Sequence, residues 1–179
     1  MKKLFPWFAP ALLVITGFAA WAAEAPATFK VSTFTFQRPA KWEWVVTTAA
    51  MRKAQLKVSG ADKTNSAEVV FYHFGPGNGG GVQANVERWF TQFQEPREKL
   101  GAKSEETKIG KTKVTFVRAE GTYLSGMPGT PRTEQPGSAL RGAIIESKEG
   151  DVFVKMTGPA TLVKSSEDDF RKLIESALK

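Results

Sequence analysis

Apolar and polar positions along this chain fall into two periods. Ala54, Leu56 and Val58 alternate with Lys53, Gln55 and Lys57, the period-two pattern of a half-buried strand. Ala67 to Phe74 is apolar on both faces, with Val69 and Phe71 set against Val70, Tyr72 and Phe74, which predicts a central strand covered on two sides. Phe29 to Phe36 is rich in β-branched and aromatic residues and reads as a strand, with a shift of apolar phase near Ser32-Thr33 that predicts a bulge or a break. Trp42, Trp44 and Val46 alternate as a second, short strand. Further on, Glu105 to Ile109 and Lys111 to Leu124 flank Gly110 as a hairpin, and Leu140 to Ser147 pairs with Asp151 to Thr157 around Glu149-Gly150. Ser125 to Ser138 reads as a loop, because it carries Gly126, Pro128, Gly129, Pro131, Pro136 and Gly137.

Two segments change to the helical period. Val82, Val86, Trp89, Phe90 and Phe93 form one apolar stripe, ended by Glu95-Pro96. Phe170, Leu173, Ile174, Ala177 and Leu178 form another. Ser165 or Ser166 is placed to cap that helix, and Glu167, Asp168 and Asp169 complement its positive start. Strands joined through short turns, with two helices among them, predict the α+β class: a single antiparallel sheet sandwiched by two main helices and loops. There is no internal repeat and no second domain. One domain is predicted over 29–179, after a short linker at 23–28.

The first 22 residues follow neither period. Lys2 and Lys3 precede an apolar run from Leu4 to Trp21, and Ala20-Trp21-Ala22 supplies small residues at signal-peptidase spacing. This order predicts a signal peptide over 1–22, cleavage after Ala22, and an exported protein, periplasmic or extracellular. Pro6 and Pro10 interrupt the run and no stop-transfer charges follow, so a permanent membrane anchor is not expected. The chain has no cysteine for a lipid anchor or a disulfide. Its formal charge of +7 falls to +5 without Lys2 and Lys3. The remaining basic residues are spread among Glu95, Glu98, Glu105 and Glu106, which is a solvated surface and not a nucleic-acid face.

One loop looks like chemistry. Gly75, Gly77 and Gly80 satisfy G-x-G-x-x-G between a strand and a helix, where glycine N–H groups and the helix start favour an anion. Pro76 removes a donor, and the hairpins that follow do not supply the parallel β-α-β unit of a dinucleotide site. The loop therefore reads as a chain-reversing turn or an anion site, with the amides of Gly79, Gly80 and Gly81 as the contacts. His73, the sole histidine, stands just before it, and Asn85, Arg88 and Gln92 share a polar helix face beside it. These seven residues are the candidate ligand site. The neighbouring carboxylates Glu105-Glu106 and Asp168-Asp169 do not form an acid/base pair. No catalytic set, metal site or cofactor is predicted. Trp42, Trp44 and Trp89 read as core residues in preference to a sugar platform.

The string FVKMTGPATLV followed by DDFRKLIESAL resembles the end of exported PsbP-like domains. MRKAQLKV, AEVVFYHFGPGNGGG and NVERWFTQF are similar to segments of exported bacterial proteins without an assigned activity. The resemblance implies an antiparallel sheet sandwiched by helices and a non-catalytic binding or accessory role in assembly, with an envelope protein as partner. The alternative is a domain binding a small anionic or polar ligand, or an enzyme, centred on Gly75 to Gly81. No family ligand residue maps onto this sequence.

Overall fold

The computed structural model describes residues 25–61, 63–126 and 131–179. The predicted signal peptide lies outside them, as do Pro128 and Gly129 of the predicted loop. Nine strands and three helices are seen among the described residues: β1 (Thr28–Val31), β2 (Phe34–Gln37), β3 (Glu43–Trp44), β4 (Arg52–Ser59), β5 (Ser66–His73), α1 (Val82–Phe90), β6 (Lys103–Ile109), β7 (Thr112–Ser125), β8 (Thr133–Ile145), β9 (Val152–Pro159), α2 (Ala160–Ser165) and α3 (Glu167–Ser176). Seven strands form one antiparallel sheet in the order β3-β4-β5-β9-β8-β7-β6. Both faces are covered, as the two-sided apolar pattern of β5 requires. On one face, α1 seats Val86, Trp89 and Phe90 against Leu140, Ile144 and Phe153. On the other, α2, α3 and the β1–β2 hairpin enclose Phe71, Ile145, Met156 and Phe170. The class is α+β, and no helix of the described residues is long and apolar enough to cross a membrane.

Four details differ from the sequence reading, while the break expected near Ser32-Thr33 is present. Phe29 to Phe36 is two strands, because Ser32 adopts a φ of 53° and turns the chain into a hairpin. That hairpin forms its own two-stranded sheet, and its Phe29, Val31 and Phe36 face the core. The strand over Trp42 to Val46 shrinks to Glu43–Trp44, since Trp42 turns into the core while Val46 lies exposed. The loop is shorter than Ser125 to Ser138. β8 begins at Thr133 and accommodates Pro136 and Gly137 where the β7–β8 register shifts, so an irregularity absorbs the proline that cannot donate to the ladder. α1 ends at Phe90, before Glu95-Pro96, yet Phe93 remains buried through a further turn. The predicted final helix is α3, with Ser166 at its N-cap position, and α2 precedes it as a further helix, giving three helices where two were expected.

Candidate functional site

β5 delivers the chain into the glycine loop, and the next turn of structure is α1. His73, at the end of β5, places Nε2 2.9 Å from the carbonyl oxygen of Glu149 in the β8–β9 turn. Gly150 of that turn packs directly on the Gly75 backbone, with no room for a Cβ. Gly75, Gly77 and Gly80 take φ of 82°, 74° and 70°, the left-handed region in which glycine is free of side-chain strain. A Cβ on Gly79 would stand 2.7 Å from the Phe153 ring, so this loop lies tight on the sheet.

Asn85 organises the rest. Its side chain is buried, and Nδ2 donates to the carbonyl oxygens of Gly79, Gly80 and Gly81 at 2.8, 3.0 and 3.1 Å. Its Oδ1 accepts from Arg88 Nη1 at 3.0 Å. Five of the seven predicted residues thus come together: Gly79, Gly80, Gly81, Asn85 and Arg88. Asn85 closes the loop with the amide group that the sequence reading offered to a ligand. Arg88 stays exposed, and the N–H groups of Gly79, Gly80 and Gly81 take no partner among the described residues. His73 stands apart, held to the β8–β9 turn.

Gln92 belongs to a different cluster. Its Oε1 accepts from Lys155 Nζ at 2.9 Å and from the Tyr123 hydroxyl at 3.1 Å, and Lys155 also donates to that hydroxyl at 3.0 Å. The Lys155 ammonium lies 5.5 Å from the Tyr123 ring centroid. Burial pushes the Lys155 amine below its ordinary range, the Tyr72 phenol above its own, and the Tyr123 phenol up to about 12. Next to them on the same sheet face, Arg52 pairs with Glu68, and Gln55 donates to Glu68 at 2.7 Å. Periodicity alone does not single out Lys155. The signal available was a lysine inside Val152-Phe153-Val154-Lys155-Met156, a strand otherwise apolar on both faces. Its partners come from 63 and 32 residues away.

Trp42 and Trp89 are buried and Trp44 is half-buried against Phe29, so none of the three offers a free stacking face.

No family model and no curated protein matches the chain. Among solved structures, the solution structure of cyanobacterial PsbP (CyanoP) from Synechocystis sp. PCC 6803 aligns with a TM-score of 0.51 at 8% identity, over 89% of this chain and 96% of that one. A crystal structure from Bacteroides thetaiotaomicron VPI-5482 aligns at 12% identity with a TM-score of 0.44, over 84% of this chain and 47% of that one. The first likeness spans nearly all of both chains. The fold is PsbP-like.

Proposed function

We propose that this chain is an exported, non-catalytic binding or accessory module of the bacterial envelope. The observation that carries the reading is the PsbP-like fold extending over 89% of the chain. The charged, apolar and small-residue order of the first 22 residues supports export. The internal commitments of Asn85 and His73 favour a supporting role for the glycine loop over a reactive one.

The test is expression of the full chain with a C-terminal tag, followed by fractionation and mass spectrometry of the N-terminus. A periplasmic or secreted product beginning at Ala23 is expected. A product that keeps Met1 in the cytoplasm would overturn the export half. In-cell crosslinking to one defined envelope protein, unchanged by Arg88→Ala, is the expected result for the accessory half.

A second reading keeps the loop as an anion site, favoured by the unpartnered N–H groups of Gly79, Gly80 and Gly81 beside the exposed Arg88. Saturable phosphate-induced shifts of those three amides, abolished by Arg88→Ala, would decide for it.

A further inference from the structure

β6, β7 and β8 lie side by side, and their register sets Lys103 directly opposite Arg118 and Arg118 directly opposite Arg141. Residues opposite one another in an antiparallel pair share a face, so three cations form a row across three strands. Like charges so placed destabilise a sheet unless something neutralises them. The ends of the row are neutralised. Lys103 pairs with Glu105 at 3.3 Å, while Arg141 donates from Nε to Glu167 at 2.8 Å and from Nη2 to Glu120 at 3.5 Å. The middle is not. The Arg118 side chain has no hydrogen-bond or ion-pair partner among the described residues.

A fourth cation comes from above. Arg171, on α3, lays its guanidinium 4.3 Å from the Phe116 ring centroid and makes no ion pair among the described residues. These groups line one cavity of about 50 Å³, walled by Phe116 and Phe170. Arg141 is buried there, and its contacts to Glu167, Glu120 and the Leu140 carbonyl use three of its five N–H donors. With each carboxylate set against its partner, Arg118 and Arg171 remain as an excess of two positive charges over an apolar floor. A guanidinium fork suits a carboxylate or a phosphate, which it can hold through two parallel hydrogen bonds.

We propose that this cavity binds the oxyanionic group, carboxylate or phosphate, of a small ligand. Its volume takes one such group and is well short of the several hundred Å³ of a whole-ligand pocket, so the remainder of the ligand extends toward solvent. The site is separate from the glycine loop and independent of export or accessory function.

The experiment is a titration of the purified chain with inorganic phosphate, sulfate and acetate at constant ionic strength, with chloride as control. Amide shifts of Arg118, Gly142 and Arg171 are the readout. Saturable shifts are expected, with binding weakened about tenfold or more in Arg118→Gln, the loss of one charge-assisted contact. Arg171→Gln, at a half-buried helix position, is a second variant. Shifts with phosphate and sulfate alone identify a phosphate-type ligand, and shifts with acetate as well identify a carboxylate. Shifts no larger than those of chloride, shifts at Gly79 to Gly81 in place of these residues, or equal affinity in Arg118→Gln would overturn the proposal.

Discussion

Tyr72 and Tyr123 are the two tyrosines of the chain, and both stand in the Lys155 cluster. Their pH behaviour therefore reports on one place. Folding holds the Tyr123 proton more tightly than the unfolded chain does, because burial disfavours the phenolate. The stability this confers is fully present below pH 10 and is lost as pH rises from 10 to about 12. Lys155 acts in the opposite sense. Its depressed folded pKa makes the charged amine a cost, which rising pH relieves up to the ordinary value of 10.5. Urea unfolding at a series of alkaline pH values separates the two. Tyr123→Phe is expected to flatten the loss of stability above pH 10, and Lys155→Met to remove the relief below it. Identical profiles in wild type and both variants would contradict this assignment.

At the scale of elements, one of the contacts that seat α1 is unusually close. Trp89 lies over Gly142 of β8, and a Cβ at Gly142 would stand 2.7 Å from Trp89 Cε3 and closer still to Cζ3. Gly142→Ala is expected to destabilise the fold by about 1–3 kcal/mol, the usual cost of overpacking, measured by the urea midpoint at unchanged m-value. Elements like α1 and β5 were legible in the sequence because a helical stripe or a two-sided apolar run is written in consecutive residues. The start of β8 escaped because it depends on a local backbone choice, the irregularity that admits Pro136 and Gly137. The candidate site divides the same way. Gly79 to Gly81, Asn85 and Arg88 sit within ten residues and were readable. The Lys103–Arg118–Arg141 row exists only through strand register, and Lys155 meets its partners only after folding.

Across the whole molecule, the β1–β2 hairpin shares no backbone ladder with the main sheet, yet supplies part of its core. Phe36 is fully buried, 5.0 Å from the Phe71 ring centroid and 5.5 Å from that of Phe29. Phe36→Ala is expected to cost about 3–5 kcal/mol, with calorimetry still showing one cooperative transition. Two separate transitions would mean that the hairpin is an independent unit. The hairpin also meets the far end of the chain, for the Gln37 amide donates to Ser176 Oγ at 3.0 Å across 139 residues of sequence. This closure sets an order in time. A chain made N-terminus first presents Phe29, Val31 and Phe36 before α3 exists to cover them. Completion waits for α3 to arrive, and until then the apolar face of the hairpin lacks that cover.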